Sequence, residues 1–245
     1  MKILYIPGWA AGRAADRRLV EELSLRFNVE TIWLPDCGND DWIPSQSISA
    51  VYRQPLLRRI EQEDGAIALV GWSLGAMTAL EAAAEAPASV KALVIISGAA
   101  KFCADDTGDI GVSVQKLQSL AARLDADPED ALRGFFLAGY YPARPRPRAL
   151  EGKIRGALEA TPKQLLLGLD YLLRADLRCA ARAVRMPALV VHGRQDAIIP
   201  VGFGQRLADD LPAARFFALD NAGHMLPDLH AGQLCSLVGP FLSSI

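Results

Sequence analysis

A surplus of charge of either sign is missing from this chain: 26 Lys and Arg face 28 Asp and Glu across 245 residues, a formal net charge of −2. A nucleic-acid binder carries a basic excess, so no nucleic-acid partner is expected. Cysteine is scarce as well. Cys37, Cys103, Cys179 and Cys235 stand far apart without a CxxC pair, which points to neither a zinc site nor a disulfide scaffold. No apolar run nears the ~20 residues that cross a bilayer. The run after Met1-Lys2 stops at Pro7-Gly8, shorter than a secretory signal core. The expectation is a cytoplasmic, reduced, monomeric protein with no membrane partner. Internal repeats are absent too.

What the chain has is apolar material: 51% of it is hydrophobic, enough for one large domain or a core domain with a modest insertion. Its central stretch is Leu69-Val70-Gly71-Trp72-Ser73-Leu74-Gly75-Ala76-Met77. Residues 66–70 read as a buried strand and 74–86 as an Ala-rich helix. The turn between them carries Gly-x-Ser-x-Gly, which lifts a serine on a sharp strand-to-helix corner. Such a corner needs neighbours without side chains, and Gly71 and Gly75 supply them. Ser73 is thereby expected in a strained conformation at a helix N-terminus, where free amides favour developing negative charge.

Around this elbow the pattern alternates. Residues 2–6 read as a strand ending in Pro7-Gly8-Trp9, 14–27 as a helix and 29–34 as a strand closed by Pro35-Asp36-Cys37-Gly38. Residues 48–60 read as a helix that Pro55 should kink or bound. Strands follow at 92–96, 188–191 and 216–219, with a final helix over 229–242. Fully apolar strands alternating with helices predict an α/β fold with a parallel sheet covered on both faces. The rhythm breaks between them: 99–185 holds no strand pattern but four amphipathic pieces, at 112–124, 128–138, 150–159 and 162–173. The expected organisation is a core of 1–98 and 186–245 with a helical lid of 99–185 inserted after the strand at 92–96.

A serine nucleophile needs a base, and the candidates are His192, His224 and His230. His224 lies in a loop after the last strand, on the sheet rim that carries the elbow. His192 ends a strand and reads as structural, and His230 falls inside the final helix. Asp196, in the loop after 188–191, is the expected orienting carboxylate, because Ser73…Asp196…His224 is the chain order of such a triad. Asp36, Asp220 and Asp228 are the alternatives. The oxyanion formed on carbonyl attack needs N–H donors. The backbone amide of Leu74 is one, and that of Trp9, after the first strand, is the other.

The insertion is basic. Between 131 and 185, eleven Lys and Arg stand against four Asp and Glu, a net +7 that leaves −9 on the rest. That asymmetry fits an anionic substrate or acidic partner, or a solvated helical face.

Together Gly71-Trp72-Ser73-Leu74-Gly75, Pro7-Gly8-Trp9, Phe136-Leu137-Ala138, Ala175-Asp176-Leu177-Arg178 and the Asp196 and His224 loops resemble the pimeloyl-[acyl-carrier protein] methyl ester esterases of biotin synthesis, within the α/β-hydrolases. The resemblance implies an α/β-hydrolase fold and a serine carboxylesterase without cofactor. It implies substrate contacts at Trp9, Ser73, Leu74, Phe136, Leu137, Ala138, Gly139, Tyr140 and His224. It also implies that basic lid residues, here Arg144, Arg146, Arg148 and Arg155, meet an acidic acyl-carrier protein. Two departures concern substrate choice: Pro7-Gly8 replaces the usual His-Gly, and the lid run continues Gly139-Tyr140-Tyr141-Pro142. Other expectations compatible with the same residues are a short-chain esterase or thioesterase, a carbon–carbon hydrolase, or an idle ligand-binding hydrolase fold.

Overall fold

The order in which the strands lie explains where the site must be. In the computed structural model, which describes residues 1–13, 16–34, 47–105 and 110–245, six strands form one all-parallel sheet. They are β1 (Lys2–Ile6), β2 (Asn28–Thr31), β3 (Ile67–Trp72), β4 (Val90–Ile96), β5 (Ala188–Gly193) and β6 (Ala214–Leu219), in the order β2-β1-β3-β4-β5-β6. The chain leaves β1 to one side and returns on the other, so the order reverses between β1 and β3. A crevice opens outside the carboxyl ends of strands at such a reversal, and ligands bind there in open α/β sheets.

The central strands are buried on both faces, every residue of β3 and β5 included. Their uninterrupted apolar sequence follows from that double burial. On one face α1 (Arg17–Ser24) packs against α11 (Ala231–Ser243). On the other lie α2 (Ile48–Glu61) and α3 (Leu74–Glu85), with α9 (Val201–Asp210) against β5 and β6. The α3 sequence is nearly all small or apolar because ten of its twelve residues are buried.

Several expected boundaries move. Pro55 neither bounds nor ends its helix: α2 runs through it from Ile48 to Glu61. Burial of Ile48, Tyr52, Leu56 and Ile60 along one stripe outweighs the single backbone hydrogen bond that a proline removes. The final helix divides at His230 into α10 (Leu226–Leu229) and α11. The expected helix at 14–27 shortens to α1, which begins after Asp16 in the left-handed region (φ 58°). Asp36 and Cys37 lie outside the described residues.

The insertion is helical: α4 (Val114–Ala126), α5 (Pro128–Tyr140), α6 (Pro147–Ala157), α7 (Pro162–Arg174) and α8 (Arg178–Ala183). Among the described residues its extended pairings are the single bridges Lys101 to Asp176 and Cys103 to Val112. The helix starts are written in the sequence. Pro128, Pro147 and Pro162 occupy first turns, where a missing N–H costs nothing. Ser113, Asp127 and Thr161 cap α4, α5 and α7 with their side chains. Arg148 therefore lies in the first turn of α6, with Arg146 as its N-cap residue. The roof is α4 to α7; α8 packs instead on α3 and α9 of the core. Among the described residues no helix is long and apolar enough to cross a membrane.

Candidate active site

Ser73 stands at the corner between β3 and α3 with φ 57° and ψ −121°, the strained conformation expected of it. Its N–H donates to Ile96 O at 2.8 Å, which ties the corner to β4. The flanking glycines have measurable reasons. A Cβ on Gly71 would lie 2.5 Å from the Ala76 Cα, and one on Gly75 2.2 Å from Ile6 O and 2.3 Å from Pro7 O. Any side chain at either position would push backbone apart.

Three loops from three strand ends then meet. Ser73 Oγ lies 2.9 Å from His224 Nε2, and His224 Nδ1 lies 2.7 Å from Asp196 Oδ2. All three side chains are buried. The other oxygen of Asp196, Oδ1, accepts from the N–H groups of Ile198 (2.9 Å) and Ile199 (2.8 Å), which fixes the carboxylate plane. Burial pushes the Asp196 carboxyl up, but the facing His224 and His192 outweigh it and hold the group well below the usual carboxylate range. It thus remains ionised opposite His224.

The other candidates fall elsewhere. His192 is fully buried beneath the triad; its Nε2–H donates to Ile199 O at 2.7 Å and lies 3.4 Å from Asp196 Oδ2, so it buttresses the carboxylate. His230 is on the surface with Gln233. Asp220 pairs with Arg194 on the surface, and Asp228 with Lys153 and Tyr140.

The His224 loop is held from two sides. Trp72 Nε1–H donates to His224 O at 3.0 Å, and the His224 N–H donates to Gly139 O at 3.1 Å. Trp72 is a residue whose role sequence reasoning missed. It fills a variable position of the elbow motif, and only the folded chain brings it to residue 224.

Beside Ser73 lies an apolar cavity of about 150 Å³, walled by Trp9, Phe102, Leu117, Phe135, Leu169 and Ile198 and their neighbours. Trp9 is fixed by its Nε1–H donating to Leu165 O at 2.9 Å and by an edge contact with Phe135 at 4.8 Å between centroids. The backbone N–H groups of Trp9 and Leu74 donate to no other group among the described residues, which leaves both for a ligand.

The residues from Phe136 to Tyr140 make different contacts from one another. None of the five lines this cavity; Phe135 does. Phe136 is buried behind Phe135, Leu137 and Ala138 are exposed, Gly139 holds the His224 loop through its carbonyl, and the Tyr140 hydroxyl donates to Asp228. The helical period explains this: only one face of α5 looks at the cavity, so consecutive residues cannot all line it.

A family model for the alpha/beta hydrolase fold matches residues 3–231. The chain belongs to that family. The pimeloyl-[acyl-carrier protein] methyl ester esterase of Methylococcus capsulatus is 32% identical over 247 residues, covering 99% of this chain and 95% of the relative. The enzyme of the same name from Chromobacterium violaceum is 30% identical over 230 residues, 91% of this chain and 86% of the relative. A solved hydrolase from Oleispira antarctica superposes with a TM-score of 0.86 at 16% identity, covering 100% of this chain and 91% of that one. The last similarity concerns fold alone.

Proposed function

We propose that this alpha/beta hydrolase is a serine carboxylesterase that cleaves the methyl ester of pimeloyl-[acyl-carrier protein]. The observation that carries the reading is the hydrogen-bonded line from Ser73 through His224 to ionised Asp196, opening on an apolar cavity. The names of the relatives at 30% and 32% identity supply the substrate.

In this reading Ser73 Oγ attacks the ester carbonyl while His224 Nε2 takes its proton. The N–H groups of Leu74 and Trp9 receive the oxyanion. His224 returns the proton to the departing methanol, leaving an acyl group on Ser73. Water, activated by the same imidazole, then hydrolyses the acyl-enzyme to free carboxylic acid and serine. Asp196 holds the imidazole with Nε2 facing Ser73 and stabilises it when protonated.

The roof supports a carrier-bound substrate. Some of its basic side chains are already neutralised: Arg133 by Glu129 and Glu151, and Arg174 by Asp170. Arg144, Arg146 and Arg148 are exposed and make no ion pair among the described residues, and Arg155 is exposed two turns further along α6. Unneutralised positive charge therefore clusters along α6 and the turn before it, where it can steer an acidic protein. We place this monomeric enzyme in the cytoplasm with its carrier.

The test is charge reversal. Arg144→Glu with Arg146→Glu should lower kcat/KM for the carrier-bound ester at low salt and lose that effect at high salt. Hydrolysis of p-nitrophenyl butyrate, which needs no docking, should stay unchanged. Equal losses on both substrates, or none on either, would overturn the docking role.

A further inference from the structure

The apolar cavity has two chemically distinct features. Ser73 is one. The other is Lys116, the single ionisable side chain with a full charge among the lining residues. Lys116 sits in the first turn of α4, exposed to solvent, and its ammonium has no ion pair or side-chain hydrogen bond among the described residues. Other lysines of the chain are engaged: Lys2 with Glu30 and Glu63, Lys101 with Asp105 and Asp176, Lys153 with Asp228. A long basic side chain can lay its apolar stem along a greasy wall and keep its charged end in water at the opening. A plain fatty acyl chain would meet the wall and leave the ammonium unused.

Resting on the esterase reading above, we infer that Lys116 is a specificity-determining residue that selects acyl chains ending in a second oxygen function. A carboxylate is the strongest partner it can take. In a free half-ester of a dicarboxylic acid, the ester carbonyl sits at Ser73 and the far carboxylate meets the Lys116 ammonium. When the acyl chain hangs on a carrier, the thioester carbonyl takes that place as a neutral acceptor. The cavity of about 150 Å³ leaves room for a short run of methylenes between the two functions. Free half-esters of medium-chain dicarboxylic acids are thus a further substrate class of this protein.

The experiment compares wild type with Lys116→Met, which keeps an apolar stem and removes the charge, on three esters of matched length. Monomethyl pimelate carries a far carboxylate, the monomethyl pimeloyl thioester of pantetheine a far neutral carbonyl, and methyl heptanoate neither. Lys116→Met should lower kcat/KM for monomethyl pimelate about tenfold or more, mainly through KM, as expected for loss of a hydrogen bond to a charged group. Methyl heptanoate should stay within about twofold. A few-fold loss on the thioester adds the carrier-bound chain as a source of the same contact; no loss there confines the selection to the free carboxylate. Lys116→Glu should reverse the preference and favour methyl heptanoate over monomethyl pimelate. Equal effects on monomethyl pimelate and methyl heptanoate would overturn the inference. Wild-type hydrolysis of methyl heptanoate tests the esterase reading separately: if it proceeds while Lys116→Met leaves monomethyl pimelate unaffected, this inference alone fails.

Discussion

Replacing Asp196 by Asn isolates what the carboxylate does, because the structure dictates how the amide must sit. In the wild type Oδ1 accepts two backbone N–H groups, from Ile198 and Ile199, at 2.9 and 2.8 Å. An asparagine NH2 turned toward them would set donors against donors in a buried place, at about 1–3 kcal/mol for each group left unsatisfied. The amide oxygen therefore keeps the Oδ1 position and the NH2 takes the place of Oδ2, facing His224 Nδ1 at about the present 2.7 Å. His224 must then accept at Nδ1, so its proton moves to Nε2, the atom 2.9 Å from Ser73 Oγ. The imidazole becomes a donor where a base is needed. The analogous exchange in a serine protease lowers kcat about 10⁴-fold, which is roughly 5.4 kcal/mol of transition-state stabilisation. We expect the same order here, with KM little changed because Asp196 does not line the cavity. The assay is methyl ester hydrolysis by purified protein, with thermal unfolding to verify the fold. A folded Asp196→Asn enzyme within tenfold of the wild-type kcat would refute the assignment.

Four further outcomes follow from other parts of the molecule. Gly75→Ala should destabilise by about 1–3 kcal/mol, lowering Tm by ~2–4 °C per kcal/mol, and should cut activity, since the new Cβ would press on the backbone leading to Trp9. Gly152→Ala is the control; nothing lies within 4 Å of its Cβ inside α6, so it should stabilise by about 0.4–1 kcal/mol. Lys153→Met should cost about 3 kcal/mol, seen as a fall in Tm. The ammonium, 3.3 Å from Asp228 and 3.7 Å from the fully buried Asp16, links α6 to the core, and its loss leaves a buried carboxylate with only Tyr5 as partner among the described residues. Glu30 is held down to about 2 from 4.5, chiefly by its two hydrogen bonds from Arg59. A carboxylate lowered on folding stabilises above its unfolded value and loses that contribution as pH falls. Unfolding measured between pH 4.5 and 2 should therefore show a shallower loss for Glu30→Gln than for wild type; identical slopes would remove Glu30 from the acid response.

Most of what could be read from the sequence was short-range chemistry. The elbow was legible because steric demand at one corner forces Gly71 and Gly75 around Ser73. The helices of the roof were legible because Pro128 and Pro162 mark their starts, and Pro147 does the same for α6, although its place among three prolines concealed the first turn before the piece read at 150–159. The line from Ser73 to His224 to Asp196 was legible from chain order, since in a parallel sheet all strand ends with one polarity share one rim. What was not legible depends on which face of a helix looks inward. Phe135 rather than Phe136 walls the cavity, and the carbonyl of Gly139 braces His224; neither follows from residue type. Trp72 and His192 act by contacts across 152 and 7 residues, at 3.0 and 2.7 Å, which only the assembled sheet defines. Pro55 misled because a local penalty was weighed without the buried stripe that offsets it.

The most direct measurement of the central claim is the fate of the methyl ester of pimeloyl-[acyl-carrier protein] incubated with the purified protein, followed by intact mass of the carrier. Wild type should convert it to the free carboxylic acid with release of methanol, leaving the thioester to the carrier intact, and Ser73→Ala, equally stable, should leave the ester untouched. An unchanged carrier with wild type, or full conversion by Ser73→Ala, would contradict the account.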